Sequence, residues 1–324
     1  MPSKFRVPLI FVGALLISAL LGSSAIRQQL PPTPATAVVV VWPTNTPLPT
    51  ATASPSATAS ATASASLTAS PVAATPTPTA TPLPWPTPDA KARTREVKVP
   101  VLMYHYVGPL PAAPDQIRIG LTILPDYFEQ QLQFLQARGY TSIDFYQMQN
   151  ALALGTPLPA KPIIFTFDDA YEDVYRFAFP VMQKYGYTGT VFVPTQFLDD
   201  ELAGYMSWDE AMELYHAGWR LEPHTKTHVE LQNRSRDFLV YQIYGSMDTL
   251  RFRLGYQPRF FAYPSGKYDD AAIAMLKEVG YWGAVTTDSA QFHRLANALA
   301  WGRVRVSGTE TLQDLANRLG EPFP

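Results

Sequence analysis

The stretch PIIFTFDDAYED, residues 162–173, carries the strongest indication of the fold. Its first half is apolar except for Thr166, which is typical of a strand covered on both faces in a parallel sheet. Five other stretches have a similar composition, namely PVLMYH, GTVFV, WRLE, RFFAY and GAVTT. Periodic, helix-like segments separate them. The alternation predicts an α/β fold with a mainly parallel sheet.

The ends of the predicted helices share a pattern of glycine followed by an aromatic residue. We expect the glycines to take the left-handed conformation just past each helix, where they carry no Cβ penalty. These positions are Gly139, Gly186, Gly218, Gly255 and Gly280. The aromatic residues that follow are predicted to fold back onto the last helical turn, and they are Tyr140, Tyr187, Trp219, Tyr256 and Tyr281.

Composition divides the 324 residues into three parts. Lys4 and Arg6 precede an uncharged apolar run, residues 7–26, so residues 1–27 are predicted to be a signal peptide or a signal-anchor that exports the rest. Residues 28–90 are rich in Thr, Pro, Ala and Ser, which predicts a disordered linker, either an envelope stalk or a passive spacer. Residues 91–324 have ordinary composition and form one predicted domain.

Several classes of function are disfavoured. Lys and Arg total 25 against 27 Asp and Glu, a balance that gives no reason to expect a nucleic-acid partner. The absence of cysteine excludes disulfides and thiolate metal sites. No G-x-S-x-G, P-loop or G-x-G-x-x-G motif is present. A glycosidase needs two separated carboxylates, which the adjacent Asp168 and Asp169 match poorly, although Glu222 or Asp269 could supply a distant partner.

Polar residues follow the predicted strands, at the sheet edge where α/β proteins form their sites. They are His105, Asp168, Asp169, His224, His228 and the turn from Tyr263 to Gly266. Two histidines with a carboxylate suit a zinc-like divalent ion that keeps open positions. His224 and His228 are four apart, so one helical turn would place both rings on one side.

The two adjacent aspartates can take different roles. We expect Asp169 to bind the metal ion, whose charge offsets the repulsion between the carboxylates. Asp168 would stay unligated and accept the proton of the attacking water. The alternative interpretation is that one of them only N-caps the following helix.

Four motifs together resemble the polysaccharide deacetylases of the NodB-homology type, carbohydrate esterase family 4. They are VPVLMYHYV, TFDDAYED, HTKTH and PRFFAYPSGKYD, in the family's order between residues 99 and 306. The first resembles a subgroup that includes poly-N-acetylglucosamine deacetylases. The resemblance implies a distorted (β/α) barrel of about seven β/α units. It also implies a bound divalent metal, usually zinc, and deacetylation of a glycan.

The resemblance assigns roles to single residues. Asp168 is the implied base, and the implied metal ligands are Asp169, His224 and His228. The backbone N–H of Ser265 is the implied oxyanion donor. His105 is the implied general acid, because the family's usual late histidine motif is absent. Tyr263 and Trp208 are expected to contact substrate.

Two departures from the family pattern affect the site. Ala262 stands where many members have an arginine that orients the base, and Arg303 is the candidate replacement; an ordinary surface arginine is the alternative. Ala170 replaces the usual glycine after the aspartates and is expected to have ordinary backbone angles.

The leading functional hypothesis is an exported, metal-dependent deacetylase, either membrane-anchored or secreted. Its expected substrate is an N-acetylglucosamine-containing glycan of the peptidoglycan or poly-N-acetylglucosamine type. The alternatives are an O-acetyl esterase acting on xylan-like polymers and a catalytically weak glycan-binding module.

Overall fold

The computed structural model of the protein describes residues 85–323. The predicted export segment, residues 1–27, and the linker up to residue 84 lie outside the described residues. Residues 85–90, which the sequence assigns to the linker, contact the domain: the Asp89 backbone N–H donates to the Ala153 carbonyl, and Trp85 packs edge-on against Trp282. No helix within residues 85–323 is both long enough and apolar enough to cross a membrane.

The strands are short, and six of those described lie in the stretches predicted from the sequence. In chain order they are β1 Val97–Lys98, β2 Val101–Tyr104, β3 Tyr106–Val107, β4 Thr122–Ile123, β5 Thr141–Ser142, β6 Pro162–Asp168, β7 Thr190–Val193, β8 Arg220–Pro223, β9 Phe260–Ala262, β10 Gly283–Val285, β11 Phe292–His293 and β12 Val304–Arg305.

Helices separate the main strands. They are α1 Gln116–Leu121, α2 Pro125–Ala137, α3 Phe145–Leu154, α4 Phe179–Lys184, α5 Thr195–Asp199, α6 Trp208–His216, α7 Arg236–Leu239, α8 Gly245–Leu254, α9 Asp270–Val279 and α10 Leu312–Leu319. Two π-helical segments, Val174–Ala178 and Val240–Tyr244, precede α4 and α8, and two 3₁₀ turns span Pro264–Gly266 and Leu295–Ala300.

The main sheet is parallel, as predicted. Its strand order is β12-β2-β6-β7-β8, with β5 paired to the start of β6. A separate parallel pair is formed by β9 and β10. All six strands predicted from apolar stretches are present, and they are β2, β6, β7, β8, β9 and β10.

Side chains alternate between the two faces of the main sheet, so its strands contribute to two hydrophobic cores. Leu102, Phe165 and Val191 point to a core shared with the outer helices. Val101, Ile164 and Phe192 point the opposite way, into a core that contains Phe145, Phe260, Val285 and Trp301. The second core therefore lies between the main sheet and the β9–β10 pair, and it holds the two together.

A continuous barrel is not confirmed, because β8 and β9 share no backbone ladder. The buried carboxylate of Glu222, on β8, accepts hydrogen bonds from the backbone N–H groups of Arg259 (3.0 Å) and Phe260 (2.9 Å) instead. Its other oxygen accepts from the Tyr146 hydroxyl at 3.0 Å. The Glu222 side chain thus accepts from backbone N–H groups that would donate to a neighbouring strand in a closed barrel.

The predicted glycine ends of the helices are confirmed. All five have positive φ, between 71° and 92°. The N–H of the following aromatic residue donates to a helix carbonyl five residues back in four cases, at Tyr140, Tyr187, Trp219 and Tyr281. This is the Schellman arrangement, and it buries each of these four rings against the sheet.

Left-handed backbone also occurs at non-glycine residues that follow the strands. Asp169 has φ 75° and Ala170 has φ 56° directly after β6, and Thr225, His228 and Ser265 follow the other strands with φ between 52° and 64°. The expectation of ordinary angles at Ala170 is therefore wrong. The chain must reverse sharply at the strand end to present Asp169, and alanine takes the conformation that glycine would take without strain.

Glu222 should make stability depend on pH. Burial raises its pKa from 4.5 to about 8. Between these two pH values the folded state holds a proton that the unfolded state releases. The contribution of Glu222 to the unfolding free energy is therefore complete below pH 4.5 and is lost as the pH rises towards 8. We expect the unfolding free energy of wild type minus that of Glu222→Gln to fall over this range, by at most about 1.4 kcal/mol per pH unit. Denaturant titrations at several pH values measure this difference, with Glu230→Gln at an exposed position as the control. A difference that stays constant or increases with pH would contradict the prediction.

Ala170 should tolerate glycine better than another buried alanine does. Relief of left-handed strain, about 1–2 kcal/mol, offsets the backbone entropy of glycine and the lost buried methyl group. We expect Ala170→Gly to change the unfolding free energy by less than about 1 kcal/mol. Ala178 is also fully buried but has φ −75°, so Ala178→Gly should cost about 1.5–2 kcal/mol. Equal losses in the two variants would show that Ala170 is not strained.

Candidate metal centre and active site

The carboxyl ends of three strands, β2, β6 and β8, bring one group of polar side chains together. His105 follows β2, Asp168 ends β6, His224 follows β8, and Ser265 lies in the turn after β9. Asp169 directly follows Asp168, and His228 lies four residues beyond His224. The rule that α/β sites form at the carboxyl ends of parallel strands therefore identifies the correct edge of this sheet.

Three of these residues form a group suited to a metal ion. The ligand atoms of Asp169, His224 and His228 all lie within 4.8 Å of one another. Asp169 Oδ1 is 2.9 Å from His228 Nε2 and 3.4 Å from His224 Nε2. The sequence predicts this trio as the ligand set, and the fold brings its members together.

The His224 ring is fixed by a backbone carbonyl. Its Nδ1 lies 2.7 Å from the Ala262 carbonyl oxygen, so Nδ1–H donates there and Nε2 presents its lone pair to the group. Ala262 thus contributes to the site through its backbone carbonyl. Sequence reasoning did not identify this contact, because a backbone acceptor leaves no trace in residue type.

A turn, not a helix, brings the two histidines together. The expectation of one helical turn between His224 and His228 is wrong, since Thr225 and His228 have left-handed backbone. The rings nevertheless converge, with centroids 5.0 Å apart. The tight turn after β8 therefore achieves the proximity that the spacing suggests.

The electrostatics of the trio fit a cation. Burial alone would raise the pKa of Asp169, but the His224 and His228 imidazoles outweigh it and hold that pKa well below its ordinary value. Burial would lower the pKa of His228, yet the Asp169 carboxylate raises it. Asp169 Oδ1 is buried and has no well-aligned hydrogen-bond donor, so it is available as a ligand atom. One carboxylate and two imidazoles are a donor set that suits zinc.

Asp168 is held away from the trio by a buried arginine. Arg303 Nη1 and Nη2 each donate to one Asp168 oxygen at 2.7 Å, and the Arg303 side chain is fully buried. Burial would raise the pKa of Asp168, but the Arg303 guanidinium keeps it below its ordinary value. The alternative interpretation of Arg303 as a surface residue is therefore wrong.

Two further contacts fix Arg303, and sequence reasoning missed them. Nη1 also donates to the Thr166 hydroxyl at 3.0 Å, and Nε donates to the Thr286 carbonyl at 3.0 Å. Thr166 is the one polar residue inside the apolar strand β6. A polar residue within an apolar run was the sequence feature that could have indicated a buried polar partner.

His105 completes the polar group on the side of β2. Its Nε2 lies 4.0 Å from Asp168 Oδ2, and its buried Nδ1 has no hydrogen-bond partner. Burial lowers its pKa, and the Asp168 and Asp169 charges oppose that shift. The His105 side chain therefore lies beside Asp168 in the same polar group.

Neither aspartate caps the helix that follows. The π-helical segment after β6 has Asp173 at its N-cap position, without a side-chain capping bond. Both Asp168 and Asp169 instead direct their carboxylates into the polar group described above. The helix-cap interpretation of the pair is therefore wrong.

The remaining predicted residues differ in their placement. Ser265 lies in the left-handed turn after β9, with φ 55°. Tyr263 is fully buried and donates to the Leu299 carbonyl at 2.9 Å, so its side chain packs in the core and is not available to substrate. The Trp208 indole N–H donates to Asp199 at 3.0 Å, and the Arg253 guanidinium lies over the Trp208 ring. Neither of these partners belongs to the Asp169, His224 and His228 trio.

Comparisons with known proteins agree with this geometry. Residues 155–284 match the polysaccharide deacetylase family. The Bacillus subtilis protein YxkH is 26% identical over 210 residues, covering 65% of this chain and 72% of its own length. The Escherichia coli poly-beta-1,6-N-acetyl-D-glucosamine N-deacetylase is 23% identical over 61% of this chain, and the match spans 36% of that longer protein.

A solved structure shares the fold. The Streptococcus pyogenes deacetylase PplD, in complex with acetate, superposes with a TM-score of 0.65 and 28% identity over 70% of this chain and 100% of its own. The family match includes all three members of the Asp–His–His trio. We conclude that residues 155–284 carry a polysaccharide deacetylase domain of the NodB type, and that the chain shares the fold of a solved deacetylase.

Proposed function

We propose that this domain removes acetyl groups from an N-acetylglucosamine-containing polysaccharide outside the cytoplasm, as a metal-dependent N-deacetylase. The observation that carries the proposal is the pairing of a metal-type trio with a neighbouring aspartate that a buried arginine holds ionised. The E. coli relative, named for poly-beta-1,6-N-acetyl-D-glucosamine, supports a substrate of that type. Peptidoglycan is the other candidate glycan.

Asp169, His224 and His228 would hold the metal ion, and their donor set suits zinc. When bound, such an ion supplies Lewis acidity, polarising a carbonyl oxygen and lowering the pKa of a water. His224 is oriented for this by the Ala262 carbonyl. The chain therefore offers a ligand set with one fixed imidazole and one buried carboxylate.

Asp168 is the proposed general base. Its two oxygens are both engaged by Arg303, which keeps the carboxylate ionised although it is buried. Water attacks the amide carbonyl carbon, and Asp168 takes the proton that the water loses. The bidentate contact also fixes the carboxylate plane, because both oxygens are restrained.

His105 is the proposed general acid. It lies across from Asp168, with its Nε2 at 4.0 Å from Oδ2. When the carbon–nitrogen bond breaks, His105 gives its proton to the departing amine nitrogen, and acetate is the other product. The backbone N–H of Ser265 is the proposed donor to the oxygen that becomes negatively charged, a role that does not depend on the serine side chain.

The N-terminal segment determines the proposed location. We infer that residues 1–27 export the domain and either anchor it or are cleaved, and that the Pro/Thr-rich linker spaces it from the membrane. The substrate then lies in the cell envelope or beyond it.

Acetate release tests the proposed activity. Wild type with zinc should release acetate from β-1,6-linked N-acetylglucosamine oligomers or from peptidoglycan, and a chelator should abolish the release. Asp168→Asn should lower kcat by at least about a hundredfold, because the base is lost. Zinc content and melting temperature, measured in parallel, separate loss of the base from loss of metal or fold.

Three results would redirect the assignment. Full acetate release by zinc-loaded Asp168→Asn would remove Asp168 from the mechanism. Release from acetylxylan but not from N-acetylglucosamine polymers would favour the O-acetyl esterase. Glycan binding without acetate release from any polymer would favour the catalytically weak binding module. His216→Ala, at an exposed helical histidine, is the matched control for nonspecific loss of zinc or activity.

A further inference from the structure

The turn that carries His228 has an unfavourable backbone. Residues 224–228 follow β8 and reverse the chain so that two of the proposed metal ligands meet. Within this turn Thr225 has φ 64° and His228 has φ 52°. Left-handed backbone is strained for a residue with a Cβ, and it persists where the surrounding structure holds it in place. The turn therefore needs partners outside itself.

His228 depends on this turn more than His224 does. The His224 ring is fixed by the Ala262 carbonyl, which lies 2.7 Å from its Nδ1. Among residues 85–323, no acceptor holds the Nδ1 of His228 in the same way, and the His228 side chain is 35% exposed against 2% for His224. The direction of the His228 ring is consequently set by the backbone that carries it.

One side of the turn is held by helix α5. The Thr195 N–H donates to the Thr225 carbonyl at 3.2 Å. The Gln196 N–H donates to the Lys226 carbonyl at 2.8 Å. These N–H groups belong to the first turn of α5, where they have no acceptor inside the helix. The carbonyl groups of the turn are thus paired, and its N–H groups need an acceptor elsewhere.

The other side of the turn is held by the side chain of Gln242. Its Oε1 accepts from the Lys226 N–H at 3.0 Å and from the Thr227 N–H at 3.1 Å. Its Nε2 donates to the Thr227 hydroxyl at 2.8 Å. One side-chain amide therefore makes three hydrogen bonds to the two residues that lie between the strained positions Thr225 and His228.

Gln242 is itself fixed in the interior. It lies in the π-helical segment Val240–Tyr244 and is buried. The buried Ser246 hydroxyl donates to the Gln242 carbonyl at 2.8 Å. Single π-helical turns within helices are rare and occur frequently at functional sites. Because the Gln242 side chain is buried and hydrogen-bonded, it can hold the turn in one position.

We propose that Gln242 is a positioning residue of the metal centre, which holds the turn so that His228 Nε2 faces Asp169 and His224. The inference rests on the proposed function, because that proposal makes the trio a metal site. Gln242 bonds to the backbone between the two histidines and not to their rings, so it acts through the position of His228. Residues that support metal ligands from behind commonly change metal affinity in this way.

Zinc affinity tests the proposal without requiring catalysis. The zinc dissociation constant is measured by competition with a chromophoric chelator for wild type, Gln242→Leu and Gln242→Glu. Leucine can neither accept nor donate a hydrogen bond, and we expect Gln242→Leu to weaken zinc binding at least about tenfold. Glutamate keeps an acceptor for both N–H groups, and the Thr227 hydroxyl can donate to its second oxygen. Gln242→Glu should therefore bind zinc nearly as tightly as wild type.

Gln149→Leu is the matched control. Gln149 is likewise buried in a helix, α3, but its side-chain amide has no hydrogen-bond partner among residues 85–323. This variant should keep the wild-type zinc affinity. Melting temperatures of the metal-free proteins identify a variant that does not fold.

Thr227→Val replaces Gln242→Leu if the latter does not fold. Thr227 is half-buried, and its change to valine removes the one neutral hydrogen bond between its hydroxyl and Gln242 Nε2. We expect zinc binding to weaken about fivefold in this variant.

The outcomes separate this inference from the proposed activity. Unchanged zinc affinity in Gln242→Leu, or in Thr227→Val where that variant decides, would overturn the positioning role. An equal loss in Gln242→Leu and in either Gln242→Glu or Gln149→Leu would also overturn it, because the loss would not depend on the hydrogen bonds. Wild type that binds zinc but releases no acetate would reject the proposed activity, while the affinities of the variants would still decide the positioning role. Wild type that binds no zinc would overturn both.

Discussion

The buried pair of Asp168 and Arg303 is the interaction on which the site depends. Two adjacent carboxylates would repel each other, and burial would drive each towards its neutral form. Arg303 compensates one of them with two 2.7 Å hydrogen bonds and is itself held by Thr166 and Thr286. Removing either partner would leave an uncompensated charge in the interior, which typically costs about 3–5 kcal/mol. The pair therefore links the end of β6 to the segment that begins β12.

Backbone strain works together with this pair. Asp169 and Ala170 leave β6 in left-handed conformations, so successive carboxylates point to different partners: Asp168 to Arg303, and Asp169 to the histidines. The same conformation recurs at His228 and Ser265 after other strands. Strained residues persist where surrounding structure holds them, and they concentrate at functional sites. In this protein the sheet supplies the rigid frame, and the turns after its strands supply the direction of each side chain.

Local sequence features predicted the frame well. Continuous apolar runs located the strands, and glycine–aromatic pairs located the helix ends, because both depend on neighbouring residues only. Four features were not accessible in this way. Ala170 was expected to be ordinary, since alanine rarely takes positive φ. The Glu222 carboxylate between β8 and β9 depends on two strands far apart in sequence, and so does the carbonyl of Ala262 on His224. Arg303 could be proposed only through resemblance to a family, because residue pattern alone also allowed a surface position.

The crystal structure of the zinc-loaded protein, with the ion located by anomalous scattering, tests the central claim that the two aspartates have separate roles. We expect one zinc ion bound by Asp169, His224 and His228, with both oxygens of Asp168 still on Arg303. A zinc ion coordinated by Asp168, with Arg303 displaced from it, would show that the two aspartates do not have separate roles.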